Sequence, residues 1–191
     1  MKPLKKIKLV ICQVLSIIFI ISIADLTYAQ GIKTKAITLN EVADRISIKE
    51  LIDGYSHYAD RRDAEAQANL FTPDGIIEIY EGEPTVTNKP KAVLKGREAL
   101  KNGFATLKKY DVTMHFNGQS DIQLSGDTAT GETYCLAHQF WNENNQRILM
   151  TIGIRYYDTF VRSDGKWFFA KRKLIFDWTD RRVSTPRNPG E

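Results

Sequence analysis

The stretch YSHYADRRDAEAQANLFTPDG, Tyr55–Gly75, combines the end of one helix, a polar break, a short second helix and a turn into a strand. Apolar residues at helical spacing come before it, so the first helix is predicted over Leu39–Arg61. Asp63 is predicted to cap a second helix over Ala64–Leu70, and Thr72–Gly75 has the composition of a turn. The sequence therefore places two helices before the first strand.

Polar side chains near the end of the first helix are the unusual feature of this stretch. Tyr55 and Asp60 are five residues apart, which separates them by about 140° around the helix axis. A carboxylate and a phenol near one helix end can point into the same pocket, as proton acceptor and hydrogen-bond donor. Alternatively, Tyr55 belongs to the core and Asp60 is a solvated terminal residue. The stretch by itself leaves both interpretations open.

The rest of the chain changes from helical to strand periodicity. It predicts a first strand over Gly75–Glu81, a short strand over Ala92–Leu94 and a third helix over Arg97–Lys109. Four long alternating segments separated by hairpin-type turns then predict four strands: Val112–Leu124, Thr128–Trp141, Arg147–Val161 and Lys166–Trp178. Three helices followed by long antiparallel strands predict an α+β domain, with the helices packed on a curved sheet.

The two ends of the chain differ in composition from the domain between them. Basic residues, a long apolar run and Thr27-Tyr28-Ala29 predict a signal peptide cleaved after Ala29, and hence a periplasmic or secreted protein. An uncleaved membrane anchor is the alternative, because the apolar run is long enough to span a bilayer. A flexible leader is predicted for residues 30–37, the domain for 38–182 and a loose tail for 183–191.

Charge and cysteine content narrow the possible partners. The chain has 27 basic and 23 acidic residues, and the predicted signal peptide holds four Lys and one Asp, so cleavage lowers the net charge from +4 to +1. This balance argues against nucleic acid as a partner. After cleavage Cys135 is the single cysteine, so the fold depends on its hydrophobic core, and Cys135 is expected to be buried.

The three histidines are the other candidate catalytic residues. His115 and His138 lie in predicted strands, and His57 lies on the first helix. A single histidine is more often a structural residue than a catalyst. The spacing of these residues fits no metal-binding motif, and the sequence contains no nucleophile elbow or phosphate-binding glycine loop, so no metal or cofactor is predicted.

Several short motifs together resemble the SnoaL-like group, the cone-shaped α+β barrels related to nuclear transport factor, ketosteroid isomerase and scytalone dehydratase. They are Y-x-x-x-x-D from Tyr55, LFTPDG from Leu70, KGREAL from Lys95, TMHFNG from Thr113 and DGKWFFAKRK…DW from Asp164. The resemblance covers nearly all of Leu39–Arg182. Its nearest pattern is that of bile-acid dehydratases and hexachlorocyclohexane dehydrochlorinase.

This resemblance implies that Tyr55, Asp60 and His115 line one pocket of a cofactor-independent lyase, of the dehydratase type, or of an isomerase. His115 would act as base on a small apolar molecule, oriented by Asp60, while Tyr55 donates a hydrogen bond to a carbonyl or leaving oxygen. The chemistry is sound, because a carboxylate that accepts from one imidazole nitrogen fixes the tautomer and raises the basicity of the other.

Further residues are expected to bind the substrate, namely Tyr58, Phe116 and Arg172. The bile-acid enzymes have an Arg at the position of Phe176, and Arg172 lies on the same face of that strand. The second His of scytalone dehydratase has no counterpart in Thr151–Ile154, and Arg62-Asp63 lacks its catalytic Tyr. The substrates of these relatives therefore do not carry over.

A non-catalytic module of the same fold is the alternative, either binding an apolar ligand or serving as a dimerisation unit. Large side chains on the long strands, among them Trp141, Tyr157 and Phe168, are expected to be partly exposed on a single-layer sheet. Relatives of this fold pair sheet to sheet, so a homodimer or a multiple of it is expected. Convergence of Tyr55, Asp60 and His115 would favour the enzyme.

Overall fold

The computed structural model describes residues 36–185, which contain three α-helices and one six-stranded sheet. The helices are α1 (Leu39–Arg61), α2 (Ala64–Asn69) and α3 (Arg97–Ala105), and a 3₁₀ turn at Thr106–Lys109 follows α3. The strands are β1 (Phe71–Glu81), β2 (Ala92–Lys95), β3 (Val112–Ser125), β4 (Thr128–Glu143), β5 (Gln146–Ser163) and β6 (Lys166–Val183).

Sheet topology agrees with the sequence prediction. The strand order is β2-β1-β6-β5-β4-β3, and every neighbouring pair is antiparallel except β1 with β6. The predicted α+β class is confirmed, but the sheet has β2 and β3 at its edges and does not close into a barrel. Register shifts at several points, such as between Asn117 and Ser120, are bulges, which bend a strand.

Element ends follow local chemistry. Arg62 takes a left-handed φ of 58° directly after α1, and Asp63 then caps α2, its Oδ1 accepting from the Ala66 amide at 2.9 Å, as predicted. The predicted turn at Thr72–Gly75 instead lies inside β1, at the register shift after Phe71. At the other end β6 reaches Val183, which pairs with Ile148, so the last strand extends into the predicted tail.

The core lies on the face of the sheet that the helices cover, called here the inner face. Phe71, Phe160 and Phe169 are fully buried there, and the rings of Phe71 and Phe169 stack with centroids 5.0 Å apart. Cys135 is buried on the same face, as expected, and burial raises the pKa of its thiol to about 11. The thiol is therefore a packing element of the core.

Hydrogen bonds join the C-terminal half of α1 to β3. Ser56 Oγ donates to Asn117 Oδ1 at 3.1 Å. Directly after the helix end, the Arg62 guanidinium donates to the carbonyl oxygens of Tyr110 and Asp111, just before β3, at 2.9 and 2.5 Å. The hydrogen bonds of Ser56 and Arg62, on either side of Asp60 in the sequence, hold the end of the helix against the strand.

The chain Met1–Ala29, which contains the predicted signal peptide, lies outside the described residues. Within residues 36–185, no helix has the length and apolar character needed to cross a membrane.

Candidate active site

Asp60 holds His115 through both its ring and its backbone. Asp60 Oδ1 lies 2.7 Å from His115 Nδ1, and Asp60 Oδ2 accepts from the His115 backbone N–H at 2.9 Å. The side chain of His115 is 8% exposed and that of Asp60 is 27% exposed. Because an ionised carboxylate only accepts, the neutral imidazole carries its proton on Nδ1, which leaves Nε2 as the basic nitrogen.

A cavity of about 170 Å³ lies between the helices and the inner face, and His115 is part of its wall. Most of the wall is apolar and comes from β1, β2, α3, the 3₁₀ turn, β5 and β6: Ile77, Ile79, Leu94, Phe104, Leu107, Ile152, Ile154, Leu174 and Phe176. The polar side chains in the wall are Tyr55, Gln67, Thr106, His115, Gln139 and Tyr156. A mostly apolar cavity with a few converging polar groups is the usual form of a small-molecule site.

Tyr55 contributes a buried phenol to this wall. Its ring is 4% exposed and makes edge contacts with Phe104 and Tyr156, at centroid distances of 5.7 and 5.8 Å. Burial raises the pKa of Tyr55, against the opposing effect of the Arg172 charge. The hydroxyl therefore keeps its proton at neutral pH and can act as a hydrogen-bond donor, as the sequence analysis expected.

Arg172 is not part of the cavity wall. Its Nε and Nη2 donate to the two carboxylate oxygens of Asp158, each at 2.8 Å, and both side chains are fully buried. The guanidinium carbon lies 4.0 to 4.2 Å from the ring centres of Tyr156, Tyr55 and Phe169. Burial alone would lower the pKa of Arg172, but the Asp158 carboxylate holds it above its ordinary value.

The structure therefore does not place Arg172 where it would contact a molecule in this cavity, as the substrate-binding prediction requires. Arg172 does lie on the same face as Phe176, as the spacing predicted. Its charge, however, is neutralised by Asp158 and covered by aromatic rings, two of which, Tyr55 and Tyr156, are themselves part of the wall. Arg172 supports the wall from behind.

Phe116 and Tyr58 also lie outside the cavity wall, so the structure does not place these two predicted binding residues beside the cavity. Phe116 follows His115 on β3, and successive side chains of a strand point to opposite faces, so Phe116 is 68% exposed on the outer face. Tyr58 is half-buried on α1, with its ring against that of His57 at a centroid distance of 5.7 Å. The structure thus brings together Tyr55, Asp60 and His115, and separates them from the three expected binding residues.

Gln139 is a wall residue that the sequence analysis missed. Its neighbour His138, one of the histidines considered from the sequence, lies on the outer face, with Nδ1 3.0 Å from Thr151 Oγ1. Gln139 is two residues beyond Ala137 and four beyond Cys135, both buried on the inner face. The period of two that placed Cys135 in the core was therefore enough to place Gln139 beside it.

The chain is thus an α+β domain with a small, mostly apolar cavity, and the cavity wall includes a histidine that is paired with an aspartate. A family model described as a SnoaL-like domain matches residues 40–173. The chain belongs to the SnoaL-like family, which confirms the resemblance found in the sequence.

Individual relatives have low sequence identity to this chain. An uncharacterized protein of Mycobacterium tuberculosis is 27% identical over 136 residues, which cover 71% of this chain and 87% of that protein. A putative scytalone dehydratase of Novosphingobium aromaticivorans has 24% identity and a TM-score of 0.63, over 78% of this chain and 97% of its own. A hexachlorocyclohexane dehydrochlorinase of Novosphingobium barchaimii has 20% identity and a TM-score of 0.61, over 79% and 98%. At these identities the two structures show a shared fold alone.

Proposed function

We propose that the protein is a cofactor-independent lyase that eliminates a leaving group from a small, largely apolar molecule, with His115 as the base. The observation that carries the proposal is the double contact of Asp60 with His115, which fixes the ring while the ring forms part of a mostly apolar cavity. Two solved structures with the same fold are named as a dehydratase and a dehydrochlorinase, which supports the reaction class.

The mechanism follows from the positions of three side chains. His115 Nε2 takes a proton from a carbon next to a carbonyl group, and the freed electron pair forms an enolate. Tyr55 donates a hydrogen bond to the enolate oxygen, which stabilises the developing charge. The enolate then re-forms the carbonyl, and a carbon–carbon double bond forms to the adjacent carbon as the leaving group departs from it with its bonding electrons. The imidazolium returns its proton to the departing group. Asp60 stabilises the imidazolium that forms and keeps the ring in place.

Deuterium exchange tests the proton transfer before any natural substrate is known. Cyclohexanone in D₂O exchanges the hydrogens on the carbons next to its carbonyl, which NMR follows directly. We expect the wild type to accelerate this exchange and His115→Ala to lower the protein-dependent rate by about 10²- to 10⁴-fold, the usual contribution of a general base. His138→Ala is the matched control, because His138 lies on the outer face, and it should exchange like the wild type.

Equal exchange rates for wild type and His115→Ala would contradict the assignment of the base. Elimination itself is tested with 3-hydroxycyclohexanone, whose loss of water gives a conjugated ketone with a new ultraviolet absorbance. Exchange without this elimination would indicate isomerase chemistry at the same site.

A ligand-binding module without catalysis is the second candidate, and the size and apolar wall of the cavity favour it. The same exchange experiment separates the two functions. Binding of cyclohexanone with no protein-dependent exchange would support the module and exclude His115 as an effective base.

We also propose that the protein is exported, on the basis of the signal-peptide pattern at Met1–Ala29. Mass spectrometry of protein recovered from the periplasm or medium should give an N-terminus at Gln30. Recovery of the intact chain from membranes would instead indicate an uncleaved anchor.

The outer face supports a further proposal, that the protein is a homodimer. Phe116 pairs with Leu136 across β3 and β4, and the same row crosses Gly153 to reach Trp178, so three exposed apolar side chains lie in one line over four strands. Trp141, Tyr157 and Phe168, which were expected to be partly exposed, are each partly exposed. An apolar row of this kind marks an interaction surface.

Sedimentation at micromolar concentration tests the dimer. We expect a dimer for the wild type and a shift to monomer for Phe116→Lys, because a buried unpaired charge opposes association. Val86→Lys is the control, since Val86 is exposed in the loop between β1 and β2. A wild-type monomer would contradict the proposal.

A further inference from the structure

Gln139 presents an unsatisfied acceptor at the cavity wall. Its side chain lies on the inner face of β4 and the residue is only 6% exposed. The amide oxygen Oε1 is buried, and it finds no hydrogen-bond partner among residues 36–185. Buried polar atoms are nearly always hydrogen-bonded in folded proteins, so this one requires an explanation.

The neighbouring strands do not provide the missing donor. On β3, Gln139 pairs with Thr113, whose own buried Oγ1 has no partner within the described part of the chain. On β5 it pairs with Met150, whose thioether has no proton to give. An amide oxygen only accepts, and neither strand forms a hydrogen bond with this one, so an O–H or N–H group of a molecule in the cavity could serve as its donor.

The position of His115 relative to Gln139 indicates where that donor would lie in the cavity. It follows Thr113 by two residues on the same face of β3, so it lies beside the strand pair that carries Gln139. A molecule that donates to Gln139 Oε1 therefore lies next to the proposed base.

The cavity limits the size of the molecule. Its volume of about 170 Å³ is close to that of an engineered protein cavity of about 150 Å³ that binds benzene. One six-membered ring fills such a space, and the aliphatic and aromatic wall suits its carbon skeleton.

We propose that Gln139 determines specificity by accepting a hydrogen bond from the substrate, and that the substrates are single-ring compounds with a hydroxyl group. This inference names the substrate class of the proposed lyase and rests on that function for its relevance to turnover. Binding can nevertheless be measured without any reaction, so the two claims are tested separately.

The test compares two probes of nearly equal shape, 4-fluorophenol and 4-fluorotoluene, with dissociation constants measured by ¹⁹F NMR. Only the phenol can donate to Gln139. We expect the wild type to bind the phenol more tightly, and Gln139→Met to lower the phenol-to-toluene affinity ratio about tenfold, the effect of one lost neutral hydrogen bond. Met is similar in length and apolar, so the variant should keep its affinity for 4-fluorotoluene.

Three variants identify the hydroxyl's partner. Thr113→Val should keep the wild-type ratio, and its loss there would mean that Gln139 is satisfied inside the protein, which would overturn the inference. His115→Ala should also keep the ratio while losing deuterium exchange. Loss of the ratio in His115→Ala with retention in Gln139→Met would assign the hydroxyl to the imidazole and overturn the inference.

The wild type alone is also decisive, whether or not Gln139→Met folds. Tighter binding of 4-fluorotoluene than of 4-fluorophenol, or binding of neither ring, would overturn the inference. Failure of cyclohexanone exchange with an intact phenol preference would instead reject the lyase and leave the role of Gln139 in recognition standing.

Discussion

Two carboxylates on the inner face are each paired with a basic side chain, and the two pairs have opposite surroundings. Asp158 and Arg172 are both fully buried and joined by two hydrogen bonds of 2.8 Å. Asp60 and His115 are joined at 2.7 Å, but Asp60 keeps 27% of its surface and His115 is part of a cavity wall. A ligand cannot reach the Asp158–Arg172 pair, but a ligand in the cavity can reach His115.

This difference supports separate roles for the two pairs. A buried ion pair with its charge covered by aromatic rings can organise a core, but it cannot take a proton from a bound molecule. The Asp60–His115 pair has one basic nitrogen with no hydrogen-bond partner among the described residues, which is what a general base requires. Residue type alone does not separate the two pairs, whereas access to the cavity does.

The largest expected effect is a loss of stability when the buried Asp158–Arg172 pair is broken. Asp158→Ala leaves the Arg172 charge buried without a partner, which we expect to lower the free energy of unfolding by about 3–5 kcal/mol. Urea denaturation measures the change. Replacing both partners, as in Asp158→Leu with Arg172→Met, should restore much of the loss, because neither charge then remains. A double variant less stable than Asp158→Ala would show that the pair stabilises the fold beyond neutralising its own charges.

Asp60→Asn should have a large effect on proton exchange and a small effect on stability. Asn can no longer stabilise the imidazolium or fix the Nδ1–H tautomer, so we expect cyclohexanone exchange to fall by about 10²- to 10³-fold. Because Asp60 is partly exposed, the free energy of unfolding should fall by only about 1 kcal/mol. An Asp60→Asn variant that is strongly destabilised but exchanges normally would reverse the roles of the two pairs.

Tyr55→Phe tests the contact between the two pairs, since its ring lies in the cavity wall and against Arg172. Loss of the hydroxyl removes one donor to the enolate, so exchange should slow by about 10²-fold. The ring contacts remain, and the urea midpoint should change little. An unchanged exchange rate would limit Tyr55 to packing.

Phe116→Ala should have the smallest effect on chemistry, because Phe116 lies on the outer face next to His115 in sequence. We expect exchange and 4-fluorophenol affinity to remain within about twofold of wild type, since the strand keeps His115 on the inner face. A large loss of exchange or of 4-fluorophenol affinity would show that Phe116 contributes to the site.

The sequence predicted the fold well because its periodicity is strong. The short strand, α1 and three of the four long strands were predicted within two residues, since alternation and helical spacing report directly on which side chains are buried. The fourth, β6, continues five residues beyond its predicted end at Trp178. The error at Thr72–Gly75 arose where a proline- and glycine-rich segment forms a bulged strand start rather than a free turn.

The site was predicted only in part. Tyr55, Asp60 and His115 were identified by resemblance to a family, and their catalytic roles stay predictions. Arg172 was placed on the correct face, but spacing along a strand does not reveal how deeply a side chain is covered or that Asp158 neutralises it. Phe116 was misplaced because alternation along β3 was not applied to it, although the sequence contained that information.

The tautomer of His115 shows whether this residue can act as the base. ¹⁵N NMR of the imidazole, assigned by comparison with His115→Ala, distinguishes a protonated from an unprotonated ring nitrogen. We expect neutral His115 to carry its proton on Nδ1, held by Asp60, with Nε2 unprotonated toward the cavity. A neutral ring protonated on Nε2 would contradict it, because no basic nitrogen would then be available for a substrate proton.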